Sequence, residues 1–186
     1  LSLLYHANNR ASMFFKRNKV NGYVIKAKAK LQRAELEYGA LSNMNMKEAD
    51  LYGARMSFAT LTLVNLVSAN LSNAKLDQAN LNQADLTDAN LNGAIMSEAS
   101  LIQANLTRAK LSRVILRSAD LSRAILTEAD LRGTDLENAN LSQADLSGCD
   151  LRGSDLQKAN LIGANLSGAK LDGANLDAIQ FDEKTV

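Results

Sequence analysis

The side chains that most often carry out chemistry in proteins are scarce in this chain or lack their usual companions. It contains one Cys and one His, Cys149 and His6, which excludes an internal disulfide and a multi-histidine metal site. The segments Ser72–Lys75 and Ser167–Lys170 have the Ser-x-x-Lys spacing of a nucleophile with its base, but the rest of that constellation is missing. We therefore expect no catalytic, cofactor-binding or metal-binding residues, no cofactor, and no enzymatic activity.

Composition narrows the class of protein further. Hydrophobic residues make up 46% of the chain, yet aromatic residues make up only 4%, so Ala and Leu supply most of the apolar content. Proline and tryptophan are absent. The net charge of +1 gives no overall signal for nucleic-acid or membrane binding. No run of 18 apolar residues is present, and we expect no signal peptide and a cytoplasmic location.

A strict period of five residues dominates the chain. From Leu41 to Phe181 a large apolar residue recurs at 29 positions, 25 of them Leu, and Ala lies two residues earlier at 21 of the 29. The position between them is mostly Asn or Asp, and the two positions after the central residue are polar or Gly. Residues 1–35 lie outside this perfect repeat and carry a charge of +7, against −6 for the remainder. The sequence thus predicts a basic N-terminal cap over 1–35 and a repeat domain over 36–186.

This period fits neither a straight helix nor a straight strand. In a helix each step of five advances the side chain by about 140°, and in a strand an odd step reverses the face. A chain that buries one Leu and one Ala in every five residues must therefore bend at each unit. Four bends close a square, so we expect coils of about twenty residues that stack at about 4.8 Å. Eight of the ten glycines lie two residues after a central residue, and their concentration from Gly148 onward predicts type II turns in the C-terminal half.

The repeated units Ala-Asp-Leu and Ala-Asn-Leu resemble those of the pentapeptide repeat proteins, in the style of the cyanobacterial and general bacterial members. The resemblance covers about 150 residues. It implies an all-β, right-handed quadrilateral β-helix of about seven coils, with the central Leu and the preceding small residue pointing inward. It also implies a non-enzymatic role. Cys149 lies at a small inward position, and we expect it to be a buried, unreactive thiol.

Both ends of such a rod need caps. In the N-terminal segment, a helix from Asn8 or Asn9 to about Lys19, a turn at Asn21-Gly22 and a strand from Tyr23 are expected to cap the first coil. A basic helix that lies on a membrane surface is the alternative. At the other end, the larger ring of Phe181 is expected to close the bore.

Residues twenty apart should lie directly above one another on the outer surface. Most charges then pair in columns, so solvated ladders are favoured over a basic, nucleic-acid-binding ring. The expected opposite-charge neighbours are Asp88 with Arg108, Arg108 with Glu128, Arg117 with Glu137, Lys110 with Asp130, and Asp150 with Lys170. Apolar residues at outward positions are expected to contact either a partner or the N-terminal cap; they are Tyr52, Phe58, Leu63 and Val67.

Two functions remain open at this stage. The first is a non-catalytic scaffold that binds another, unidentified protein, with no direct contact to nucleic acid or membrane and a monomeric or weakly dimeric state. The second is a DNA mimic that binds DNA gyrase or a related topoisomerase, as the quinolone-resistance and toxin-immunity members of the family do. Five features count against mimicry of a phosphate backbone: a charge of only −6 on the repeat, many Arg side chains in the middle coils, Leu rather than Phe centres, no loop insertions, and no C-terminal dimer helix.

Overall fold

A short hairpin precedes the repeats in the computed structural model, which describes residues 19–186. Strand β1 (Lys19–Val20) pairs antiparallel with strand β2 (Tyr23–Val24). Asn21 and Gly22 between them have φ values of 49° and 86°, as the type I′ turn of an Asn-Gly hairpin requires. The predicted turn is confirmed, whereas the predicted helix lies outside the described residues except for its last residue, which is in β1.

From about residue 26 the chain coils with a repeat of twenty residues. The residue before each central residue forms a parallel bridge to the residue twenty positions later, from Lys30–Asp50 to Asn160–Gln180. Between two neighbouring coils, for example, Leu51 N–H donates to Asn70 O at 2.7 Å, and Asn70 N–H donates to Ala49 O at 2.9 Å. Because this pattern recurs along the rod, neighbouring coils are joined like strands of a parallel sheet.

A tight turn follows every central residue. At Leu101, for example, the carbonyl accepts from Ala104 N–H at 3.0 Å, and Gln103 has a φ of 59°. This hydrogen bond and the positive φ at the third position are those of a type II turn. Non-glycine residues adopt this backbone throughout the rod, so the prediction that type II turns concentrate after Gly148 is wrong. Four turns in twenty residues give each coil four sides.

The sides are numbered here by the central residues of one coil. Side 1 carries Leu51, side 2 Met56, side 3 Leu61 and side 4 Leu66, and residues twenty apart share a side. All central residues from 41 to 161 are at most 2% exposed, and with the small inward residues they form one continuous core. The core therefore runs along the axis and leaves only the outer positions for contact with other molecules.

The coil begins upstream of the perfect repeat. Ile25 and Ala29 are already buried in the core, and the first bridge starts at Lys30. The coil therefore already exists in residues 25–35, whose sequence follows the five-residue repeat less strictly, and it continues without a break into the perfect repeat.

The C-terminal end of the core is only partly covered. Leu166 and Leu171 are half-buried, and the Phe181 side chain is 68% exposed. The prediction that Phe181 closes the bore is wrong, because its ring lies at the surface of the last turn. The residues after it bond instead to the edge of the preceding coil, where Val186 N–H donates to Ala164 O at 3.2 Å.

Candidate interaction surface

The reactive side chains of the core are inert. Cys149 is buried, as its place in the repeat predicts, and its thiol donates to Leu126 O at 2.9 Å. Burial raises the pKa of this thiol to about 12, so it stays protonated and is a poor nucleophile at neutral pH. The inward hydroxyls of Thr134 and Ser154 each donate to a backbone carbonyl at 2.7 Å. These side chains fill space in the core and satisfy their own hydrogen bonds.

The rest of the described chain offers no alternative chemical centre. Within residues 19–186 no group of His, Cys, Asp and Glu side chains is arranged to hold a metal ion. Over the same residues no helix has the length and apolar character needed to cross a membrane. The open depression on side 1 is lined by polar and basic side chains, but one of them, Arg132, is engaged by Asp130 at 2.7 Å. The outer surface is therefore the place to look for function.

The four outward apolar residues named from the sequence lie on four different sides. Tyr52, Phe58 and Leu63 are 40%, 44% and 51% exposed, and Val67 is half-buried. They follow the central residues of sides 1, 2, 3 and 4 in one coil, so the structure distributes them around the rod. A run of neighbours in sequence does not form one patch here.

Two of the four nevertheless border the same side. Phe58 lies in the turn that leads into side 3, and Leu63 lies in the turn that ends it. A third aromatic residue extends this border: Tyr38 stacks on Phe58, with ring centroids 4.9 Å apart and planes within 4°. Tyr38 is 72% exposed. Tyr38 precedes the perfect repeat and is not among the predicted outward residues, although its spacing of twenty residues from Phe58 indicates that the two lie on one corner.

The N-terminal hairpin leaves this border accessible. Asn21 Nδ2 donates to Glu35 O and Glu37 O, so the hairpin caps the edge of side 2. Gly39 leaves room for the Val20 side chain of the hairpin, because a Cβ at position 39 would lie only 3.0 Å from Val20 Cγ1. The sequence predicts that the N-terminal segment covers the outward apolar residues. Residues 1–18 of that segment lie outside the described residues, so for them this stays a prediction.

Two of the five opposite-charge pairs that the twenty-residue period predicts are ion pairs along the corners, Asp88–Arg108 and Arg117–Glu137. Arg108 donates to both carboxylate oxygens of Asp88, at 2.8 and 2.9 Å, and this hydrogen bonding lowers the pKa of Asp88. Arg117 lies 3.3 Å from Glu137, as expected, and also donates to Asp135 at 2.5 Å. These contacts neutralise charge locally and are exposed, so they contribute little to stability.

Side 1 shows pairs that the period alone does not predict. Asp130 and Asp150 are neighbours in a column, and each accepts two hydrogen bonds from the Arg two residues later, Arg132 and Arg152. The bond from Arg152 is the main reason why the pKa of Asp150 falls to about 2. Lys110 and Asp130 share a backbone bridge, as expected, but Arg132 is the side chain that binds Asp130.

Side 3 differs from the other sides in its lack of charge. Over residues 40–163, all of which the structure describes, Asp120 and Arg123 are the charged residues at its outward positions. The other positions carry Ser, Thr, Asn, Gln and small residues, with three exceptions that are apolar and large: Leu63, Ile102 and Ile162. Depletion of charge with retained apolar groups is the composition of a protein–protein interface core.

The polar side chains of side 3 bond to one another along the rod. Gln83 donates to Gln103 at 3.1 Å, and Asn140 donates to Asp120 at 3.1 Å. Asn160 donates to Asn140 at 3.3 Å in the same column. These bonds hold the surface in one arrangement, so a molecule that docks on it does not have to order long, free side chains.

A sequence model of the family described as "Pentapeptide repeats" matches the chain in eight copies. The matched segments are residues 29–66, 65–103, 104–143 and 139–177. No curated protein sequence matches.

Solved structures of similar proteins include HetL from the cyanobacterium Nostoc sp. strain PCC 7120, a pentapeptide repeat protein involved in heterocyst differentiation regulation. It is 31% identical, over 83% of this chain and 87% of HetL, with a TM-score of 0.42. A second Nostoc PCC 7120 pentapeptide repeat protein, alr5209, is 43% identical over 46% of this chain and 71% of its own, with a TM-score of 0.46. QnrB1, a plasmid-mediated fluoroquinolone resistance protein, is 19% identical over 85% of this chain and 91% of its own, with a TM-score of 0.43.

Proposed function

The chain belongs to the pentapeptide repeat family, and on that premise we propose that it is a non-catalytic scaffold that binds another protein through the outer surface of a rigid rod. Members of this family form right-handed quadrilateral β-helices and are generally non-enzymatic, and no catalytic family is indicated for this chain. We further propose a rod of about seven coils, about 35 Å long at the spacing of paired strands, located in the cytoplasm.

The observation that carries this proposal is the exposed apolar border of an almost uncharged side. Tyr38 and Phe58 stack on each other at one edge of side 3, and Leu63 projects at the opposite edge. Exposed apolar groups of this size mark contact sites when they cluster. We assign Phe58 and Leu63 to the partner contact. Tyr52 and Val67, on sides 1 and 4, would join it only with a partner that wraps around the rod.

The alternative of a DNA mimic has weaker support. Mimicry of a phosphate backbone needs a continuous row of unpaired negative charge. Here Asp88, Asp130 and Asp150 each accept hydrogen bonds from an Arg side chain. A surface of alternating charge favours contact with a protein over occupation of a DNA-binding channel, and the same pairing argues against direct contact with nucleic acid.

Capture from an extract of the source organism tests the scaffold role. The immobilised whole chain is compared with two variants that add a charge at the same turn position of adjacent sides, Leu63→Arg and Ser68→Arg. We expect the wild type and Ser68→Arg to retain the same few proteins and Leu63→Arg to lose them. Equal retention by both variants would remove side 3 as the contact surface.

A further inference from the structure

We propose that side 3 also binds a second copy of this chain, so that two rods associate side by side and in parallel about a two-fold axis along their length. This inference rests on the proposed role of side 3 as a contact surface and names one occupant for it. It requires that the side be compatible with itself in charge, shape and area.

Charge selects side 3 over the other three. A surface that meets its own copy places like charges near each other unless it has few charges or arranges them in complementary positions. Side 1 carries the columns of Asp130, Asp150, Arg132 and Arg152, and sides 2 and 4 carry similar rows. On side 3 the charged outward residues between positions 40 and 163 are Asp120 and Arg123, and the near edge adds Glu98 and Lys158, so two acidic side chains are balanced by two basic ones.

A parallel two-fold arrangement makes these features complementary at each level of the rod. The axis exchanges the two edges of side 3 but keeps every coil opposite its equivalent. Phe58 of one copy then faces Leu63 of the other, and the reverse contact forms by symmetry. Asp120 lies on the middle of side 3 and meets its own equivalent near the axis, and Arg123, on the far edge of the same coil in each copy, lies within reach of this acidic pair and neutralises it.

The far edge of the side supplies further apolar contact. Ile102 and Ile162 lie at the second position of the turns that end side 3, and in the parallel arrangement they face the near edge of the second copy. Their polar neighbours already bond within the chain: the side chain of Asn82 accepts from Ser100 Oγ at 2.6 Å and from Ile102 N–H at 2.9 Å. Docking therefore leaves few polar groups without a hydrogen-bond partner.

The area of the side indicates a weak dimer. Seven levels about 4.8 Å apart give a length of about 30 Å, and four to five residues across give a width of about 15 Å. Two copies would bury about 900 Å² in total, at the small end of specific interfaces. We therefore expect a dissociation constant on the order of micromolar.

Sedimentation velocity of the whole chain over a concentration series measures this association. Leu63→Arg and Ile102→Lys place a charge in the interface, and Ser68→Arg and Thr107→Lys place the same charge at equivalent positions on side 4. We expect the first two variants to raise the dissociation constant at least tenfold and the second two to leave it unchanged. Unchanged thermal unfolding in all four shows that the fold is intact.

Cross-linking tests the parallel geometry. Gln78 and Gln83 lie at opposite edges of side 3 in one coil, and Cys149 is buried, so cysteines introduced at the two edges are the reactive ones. We expect an equal mixture of Gln78→Cys and Gln83→Cys chains to form mixed disulfide dimers much faster than either variant alone. Equal rates in the mixture and in the single variants would overturn the parallel arrangement.

A monomer at every concentration would overturn the inference altogether. This result is distinguishable from failure of the scaffold role. A monomeric chain that still captures a protein through Leu63 keeps side 3 as a contact surface for a different partner. A dimer that shows no such capture keeps the inference and removes the binding of another protein.

Discussion

The side chain of Asn21 donates a hydrogen bond to the backbone carbonyl of Glu35 at 3.2 Å, and it reaches Glu37 O at the same distance. The Glu35 N–H donates to the hydroxyl of Tyr23 at 3.3 Å. In later coils, backbone groups at these positions bond to the preceding coil. A six-residue hairpin thus uses side chains to satisfy the open edge of side 2 that a further coil would otherwise cover.

The capping amide should contribute measurably to stability. Asn21→Gly keeps the left-handed turn but removes both hydrogen bonds, and we expect the free energy of unfolding to fall by about 1–2 kcal/mol. Urea unfolding measures the change. Asn138→Gly is the matched control, because Asn138 has a φ of 58° and no bond to the edge of a coil. If Asn21→Gly unfolds at the same urea concentration as the wild type, the cap is not formed as described.

Stability should depend on Cys149 at high pH. Burial raises the pKa of this thiol to about 12 in the folded chain, whereas an unfolded thiol ionises at about 8.5. The unfolded chain therefore releases this proton first as the pH rises. The contribution of the protonated thiol is complete below about pH 8.5 and is lost as the pH rises toward about 12.

Comparison with Cys149→Ala isolates that contribution, because Ala is the usual residue at this inward position. We expect the stability of the wild type relative to the variant to decline between about pH 9 and 12. In addition, a thiol reagent at neutral pH should modify Cys149 only at the rate of unfolding. Rapid modification of the folded chain would show that the thiol is accessible.

The carboxyl group of Asp150 should titrate at an unusually low pH. Hydrogen bonding from Arg152 lowers its pKa to about 2, so any stability from this pair is present above the unfolded value of about 3.9 and is lost as the pH falls toward 2. We expect Arg152→Gln to raise the Asp150 pKa toward the ordinary value in an NMR titration of the carboxyl carbon. Arg123→Gln, on side 3, is the control and should leave this titration unchanged.

The period of five predicts most of the fold. It requires a bend after each central residue, and the burial of the central residues from 41 to 161 follows from that bend. The inward position of Cys149 is predicted for the same reason. The ends are not predictable in this way, because they lack the neighbours that fix the repeat: Phe181 is exposed, and the coil already begins near Ile25.

The proposed contact surface is only partly predictable from the sequence. Apolar residues at outward positions of four consecutive units suggest a cluster, yet a coil with one bend per unit separates Tyr52 from Val67 by three corners. Grouping residues by twenty would have connected Tyr38 with Phe58. The pairing of Asp130 with Arg132 within one turn depends on side-chain rotamers, which the repeat does not determine.

A supercoiling assay separates the scaffold from the DNA mimic. We expect purified protein at micromolar concentration neither to inhibit DNA gyrase nor to protect it from a quinolone, because Asp88, Asp130 and Asp150 are paired with Arg side chains and interrupt the rows of negative charge. The control is the double variant Arg108→Gln/Arg152→Gln, in which Asp88 and Asp150 lose their Arg partners. Inhibition or protection by the wild-type chain at stoichiometric concentration would restore the mimic.

The central claim is that twenty residues make one complete turn, so that positions 83 and 103 are neighbours on one corner. Neighbouring turns at about 4.8 Å lie within the Cα separation that a disulfide requires. The direct measurement is mild oxidation of Gln83→Cys/Gln103→Cys at a concentration below association, with Gln83→Cys/Glu98→Cys as the comparison. We predict an intramolecular disulfide in the first variant and none in the second, whose cysteines lie at opposite edges of side 3. A disulfide between positions 83 and 98, or none in either variant, would contradict the twenty-residue coil.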